Sequence, residues 1–152
     1  HKYKGDAFAP SGYSFEYVFA VSMAGQPLAW MEASNLPEEA FDIAPVIRKY
    51  REISADFHRG IILPIGEEPS GCSWTGFQSI CSEKEGYVIV YREASEKTES
   101  FVKTWLSEGR KVKFTPVLGD GKAFTVRVER NGEVRFALPE KNSYVLYRYT
   151  TF

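Results

Sequence analysis

The feature that most limits what this chain can fold into is a change of hydrophobic period near Gly60. Upstream, Ile43, Val46, Ile47, Tyr50, Ile53 and Phe57 recur by 3, 1, 3, 3 and 4, which gives one apolar stripe on a helix. Downstream the period is two. Phe124, Val126 and Val128 alternate with polar residues, and so do Val134, Phe136 and Leu138. Alternation puts every apolar side chain of a strand on one face, so this part must build sheets that bury that face. The chain therefore divides into a helical segment, 1–60, and a mainly β part, 61–152, expected to form an antiparallel β-sandwich of Greek-key type.

Strands are expected over 61–65, 74–81, 86–91, 112–118, 124–130, 133–138 and 144–149. Turn signals separate them: Glu68-Pro69-Ser70-Gly71, Gly119-Asp120-Gly121 and Asn131-Gly132. The stretch 101–106 fits a strand or a short helix, and we favour the strand. The Asn131-Gly132 turn allows a finer expectation. A two-residue loop would set Val128 against Arg135 and mix the faces. A three-residue loop of Arg130, Asn131 and Gly132 sets Val128 against Val134 and Val126 against Phe136, with Gly132 left-handed. A bulged hairpin between these strands is the expectation.

In the first part a helix is expected over 13–25, capped by Ser14, with Glu16 in its first turn and Gly25 at its end. Residues 26–31 have the pattern of a short buried strand starting near Pro27. A turn over 37–41 should lead into a main helix capped by Asp42, with Pro45 in its first turn and Arg59-Gly60 as the stop.

Charge excludes one function class. The 19 basic and 20 acidic residues leave a net charge of −1, with no basic block, so no surface neutralises nucleic-acid phosphates. No apolar run approaches the roughly 18 residues of a membrane span, and no signal peptide is evident. The chain begins at His1 rather than Met, which suggests a fragment edge or a tag remnant. Cys72 and Cys81 are expected to be free thiols. With 2 Cys and 2 His no ligand spacing appears, so neither a metal nor another cofactor is expected.

The 15% aromatic share fits a β-rich core or a sugar-binding face. Trp74, Phe77 and Tyr87 suit an aromatic platform, but packing between helix and sandwich is the preferred account. His58, in the last turn of the main helix, is expected to cap it or to face solvent rather than act as a base. Gly119-Asp120-Gly121 is expected to be a tight turn and not a calcium or phosphate site.

Two stretches carry a family resemblance. Pro10-Ser11-Gly12-Tyr13-Ser14-Phe15-Glu16-Tyr17-Val18-Phe19-Ala20, running on to Pro27-Leu28-Ala29-Trp30-Met31-Glu32, resembles the end of the (β/α)8 barrel in α-galactosidase-like glycoside hydrolases, the melibiase group. Leu36-Pro37-Glu38-Glu39 would open the last barrel helix. Phe57-His58-Arg59-Gly60, the following 61–66 run, and 69–78 resemble the passage out of that barrel into a C-terminal sandwich. The resemblance covers roughly 9–91. It implies a non-catalytic C-terminal part of a retaining glycosidase acting on α-galactoside-like glycans, with the rest of the catalytic barrel, or a glycan, as its partner. It also implies a soluble protein that is periplasmic or secreted at full length.

In that family two aspartates on earlier strands do the chemistry, flanking the scissile bond about 5–5.5 Å apart. None of Asp6, Asp42, Asp56 and Asp120 has a carboxylate partner by pattern, so no catalytic residue is carried over. Trp30, Glu32 and Asn35 follow the eighth strand of the resemblance, where barrel active sites lie, and are the candidate substrate-binding residues. The alternatives are a carbohydrate-binding module and a non-carbohydrate interaction domain that self-associates through its helical segment.

Overall fold

The computed structural model describes residues 13–25 and 38–152. These residues are mainly β. Two helices, α1 (Phe15–Ser22) and α2 (Ala44–Arg59), precede β1 (Ile61–Gly66), β2 (Trp74–Ile80), β3 (Glu85–Arg92), β4 (Glu99–Lys103), β5 (Lys111–Gly119), β6 (Phe124–Arg127), β7 (Glu133–Ala137) and β8 (Ser143–Thr151). All pairings are antiparallel. Six strands form one sheet in the order β1-β2-β3-β8-β5-β6, and β4 pairs with β7 in a second sheet. Each strand expected over 61–152 forms, though β6 stops at Arg127, and the undecided 101–106 stretch contributes the end of β4.

The centre of the large sheet is buried on both faces. From Gly86 to Arg92 every residue of β3 is buried, and so is 143–147 of β8. Val88, Val90, Val145, Tyr147 and Tyr149 face the small sheet, and share a core with its Val102, Val134 and Phe136 and with Trp74 and Phe114. Tyr87, Ile89, Tyr91, Tyr144 and Leu146 face the other way, where α1 and α2 lay Tyr17, Ala20, Met23, Tyr50 and Phe57 over them. Each large apolar side chain so enclosed contributes about 1.5–3 kcal/mol. The bulge between Pro116 and Leu118 turns the end of β5, so that Val112 and Phe114 serve the first core while Val117 and Leu118 serve the second.

A polar thread crosses the first core. The Gln78 side chain, 1% exposed, donates from Nε2 to Tyr149 Oη at 3.0 Å and accepts the Trp105 backbone N–H at Oε1 at 2.9 Å. The Trp105 indole N–H then donates to the Pro64 carbonyl of edge strand β1. This satisfies a buried amide while tying β8, β2, β1 and the end of β4 together.

Three local expectations need correction. The three-residue loop closes as expected, with the Glu129 N–H on the Glu133 carbonyl at 3.0 Å, but β6 and β7 do not pair beyond it: β6 pairs with β5, setting Val112 against Val126, and β7 pairs with β4. The 3-10 turn Arg130–Gly132 carries the chain from one sheet to the other, with Asn131 and Gly132 left-handed at φ 62 and 80. Alternation states which face is buried, and two stacked sheets satisfy that as well as one hairpin does. Val126, Val128, Val134 and Phe136 therefore still meet, but across the core.

Asp42 does not cap α2. The 3-10 turn Glu38–Ile43 runs straight into the helix, and the residue before it, Ile43, is already helical, which leaves no extended capping position. Pro45 does lie in the first turn. Gly60 ends α2 in an extended conformation, not a left-handed one. Glycine is needed there for closeness, since a Cβ would collide with Ser79 Oγ. By contrast, Ser14 caps α1 as expected, accepting the Tyr17 N–H at 3.1 Å.

The sheet itself finishes α2. Ser79 Oγ donates to the Phe57 carbonyl, and Cys81 Sγ to the Asp56 carbonyl at 3.4 Å, two acceptors that lack partners in the last helical turn. Cys81 and Cys72 are both free thiols. Ser79→Ala leaves the buried Phe57 carbonyl short of its donor and is expected to cost about 1–3 kcal/mol. A lowered urea midpoint at unchanged slope is the result that checks this.

Candidate functional site

The candidate substrate-binding residues Trp30, Glu32 and Asn35 lie outside the described residues, and so does the expected 26–31 strand. The aromatic trio divides between the two cores. Trp74 packs between the sheets, while Phe77 and Tyr87 face the helices, with the Tyr87 ring 6.0 Å from that of Phe57. Pairing of β2 with β3 runs unbroken through Gly76, so Trp74 and Phe77 lie on opposite faces and form no shared platform. Helix–sheet packing accounts for Phe77 and Tyr87.

That helix–sheet junction is the first feature able to do something specific. Tyrosines dominate it, and their hydroxyls meet the carbonyls at the end of α1. Tyr91 donates to the Ala20 carbonyl and Tyr50 to the Met23 carbonyl at 2.6 Å. His58 joins them, with Nε2 2.8 Å from Tyr50 Oη and 3.1 Å from the Met23 carbonyl. It thus bridges α2 to the residue after α1 instead of capping its own helix or facing solvent. Its spacing from Met23, 35 positions, gave no signal in the sequence. Tyr144 is the exception. Its buried hydroxyl makes no regular hydrogen bond among the described residues and lies against the Glu16 carboxyl, which acts on its ionisation.

Burial sets the ionisation of this layer. It pushes the Tyr50 hydroxyl up to about 12. It does the same to Tyr17, also to about 12, helped by the charge of Glu93 and by Tyr13. Tyr91 and Tyr144 are raised further, again mainly by burial. The Glu16 carboxyl is raised by burial and then by the charge of Asp120, partly offset by Tyr144.

The second feature is an open cleft of about 460 Å³ between α1 and three loops, lined by Tyr13, Tyr17, Ser70, Gly71, Glu93 and Asn142 among others. Its floor is cross-tied. Glu93 Oε2 accepts the N–H groups of Ser70 (3.3 Å) and Ser73 (2.9 Å). The backbone adds Glu93 N–H to the Ser73 carbonyl, Ala94 N–H to the Gly71 carbonyl and Asn142 N–H to the Glu93 carbonyl. The Tyr13 and Tyr17 rings form one wall, 5.7 Å apart and inclined by 35°. Four separate stretches of chain supply these residues, so no sequence motif marks the cleft.

Among the described residues no group of three or more His, Cys, Asp and Glu side chains is arranged to hold a metal ion. No described helix is long and apolar enough to cross a membrane. Neither the known protein-family models nor the curated proteins give a match to this chain.

Two expectations follow from the tyrosine layer. Tyr91→Phe removes a satisfied buried donor and should cost about 1–3 kcal/mol, whereas Tyr144→Phe removes an unsatisfied one and should be neutral or stabilising; urea unfolding of the two variants distinguishes them, and equal losses would refute the assignment. An unfolded tyrosine titrates at about 10. Because folding raises the values of Tyr17 and Tyr50 to about 12, their contribution is complete below pH 10 or so and is lost as pH climbs towards the folded values. Phenolate absorbance followed alongside circular dichroism should show these groups ionising late and together with unfolding. Ionisation near the ordinary value in a still-folded chain would contradict it.

Proposed function

We propose that this chain is the non-catalytic C-terminal part of a glycoside hydrolase acting on α-galactoside-like glycans. In this reading the helices close a (β/α)8 barrel, and the two sheets form a Greek-key-type sandwich that stabilises it. One observation carries the reading. α1 (Phe-Glu-Tyr-Val-Phe-Ala-Val-Ser) is apolar almost all round, yet only Tyr17 and Ala20 of its residues are buried. A helix of that character belongs in an interior. Val21 remains 53% exposed and the neighbouring Phe41 64%, on a surface suited to further barrel elements.

The junction chemistry supports the same division of labour. The large sheet grips the helices by packing and by the hydroxyl–carbonyl bonds of Tyr91 and Ser79, while Tyr50 ties α2 to the end of α1, an arrangement suited to holding barrel-end helices in a fixed position. Among the described aspartates, Asp56 is paired with the exposed Arg59, and Asp120, in the turn after β5, acts on the Glu16 carboxyl rather than on a second aspartate. Catalysis would then belong to aspartates earlier in the whole protein, and a periplasmic or secreted location goes with this reading.

The direct test is to read the DNA upstream of the His1 codon in frame. A long frame encoding a barrel with two strand-end aspartates is expected, and its full product should hydrolyse an aryl α-galactoside while the 152-residue chain alone should not. A stop codon immediately upstream would end this proposal. On the chain itself, the double change Val21→Ser and Phe41→Ser should lower binding of an apolar dye without lowering the unfolding midpoint, because neither side chain is part of the cores.

A further inference from the structure

One corner of the large sheet gathers positive charge on the face opposite the first core. We propose that this corner binds an extended polysaccharide whose sugars carry carboxylates, an inference that does not rest on the preceding reading. Lys111 and Lys113 of β5 alternate with the buried Val112 and Phe114, and Arg148 of β8 lies between the buried Tyr147 and Tyr149, so these cations point away from the first core. Arg127 of β6 does the same beside Val126. All four are exposed. They come from three strands, so no basic block marks them in the sequence. Lys111 stands directly opposite Arg127 in the ladder, Lys113 opposite Thr150, and Thr115 opposite Arg148. Like charges directly opposite one another destabilise an antiparallel pair, and a bound anion would relieve that repulsion.

Little of this charge is neutralised locally. Among the described residues Lys111, Lys113 and Arg127 make no ion pair, and Arg148 meets Glu85 at 3.9 Å. Two of the cations are held in place. Lys111 Nζ lies 5.1 Å from the centre of the Phe152 ring, and Arg127 Nη1 donates to the Gly109 carbonyl at 2.9 Å. The rest of the face selects the partner. Thr115, Thr125 and Thr150 are exposed among the cations, and their hydroxyls both donate and accept, which suits a chain rich in hydroxyls. Carboxylates match the guanidinium groups of Arg127 and Arg148. Exposed positions on a pleated sheet offer a surface rather than an enclosure, which favours an extended polymer over a small molecule. A membrane surface calls for apolar side chains that enter it, and a nucleic-acid strand for aromatic rings free to stack. Here the neighbouring apolar side chain is Phe152, and Lys111 already stands over its ring.

The test is the fluorescence anisotropy of labelled polygalacturonate titrated with the whole chain, with neutral dextran as competitor. The same chain is assayed against single-stranded DNA and against vesicles of phosphatidylserine and phosphatidylcholine. Saturable binding of polygalacturonate that salt weakens and dextran does not displace is expected. The double change Lys111→Glu and Lys113→Glu should weaken it about tenfold or more. It should not lower the urea midpoint, because opposite Arg127 it turns a repulsion into an attraction. Lys97→Glu with Lys122→Glu alters the net charge equally in other loops and should leave the affinity unchanged. Lys113→Gln adds no charge, alters a side chain that makes no hydrogen bond or ion pair among the described residues, and should also weaken binding, which keeps the test open if the first double variant fails to fold. No saturable binding, displacement by dextran, tighter binding of the DNA or the vesicles, equal losses from the two double variants, or wild-type affinity in the folded patch variants would each overturn the proposal.

Discussion

Everything else in this molecule is arranged around the two-sided burial of β3 and β8. An antiparallel sheet commonly presents one face to water. Here the central strands carry apolar and aromatic side chains on both faces, so each face needs a cover. The small sheet of β4 and β7 covers one, and α1 with α2 covers the other. The helices are therefore part of what makes the central strands tolerable in water, and the sheet is what gives the short α1 a place to form, since an isolated helix of that length is unstable.

Covering a sheet with helices creates a polar difficulty. Helix ends carry carbonyls without partners, and here those ends press against an apolar surface. The residue type that resolves it is tyrosine, whose ring packs while its hydroxyl reaches a carbonyl. Tyr91 and Tyr50 do this for the end of α1, and Ser79 and Cys81 do it for the end of α2. In the other core Gln78 plays the equivalent part between strands. Because each of these groups bonds at a specific place, together they fix how the layers sit on one another, which apolar contact alone leaves loose.

The strands were legible because alternation and turn residues mark them locally: 133–138 and 144–149 became β7 and β8 nearly as bounded. Ser14 was legible for the same reason, since a cap acts over three residues. Partners were not. Val126 and Phe136 share a core as expected, but nothing local distinguishes a hairpin from two stacked sheets. The bonds from Tyr91 to Ala20 and from Gln78 to Tyr149 each span 71 positions, beyond any periodicity. The cleft was illegible in the same way, because Tyr17, Gly71, Glu93 and Asn142 are brought together only by the fold. Family likeness pointed to Trp30, Glu32 and Asn35, whereas the described geometry draws attention to a different surface.

The bond from the Trp105 indole to Pro64 has a further consequence. β1 is an outer strand, and its sequence, Ile61-Ile62-Leu63-Pro64-Ile65, is sticky enough to recruit a strand from another molecule. Pro64 has no N–H to offer such a visitor, and its carbonyl is already taken by Trp105. At Pro64 the edge therefore offers no donor, and its acceptor is taken. The tryptophan responsible is itself 59% exposed, so it adds apolar surface at the same place where it makes the edge a poorer template for another strand.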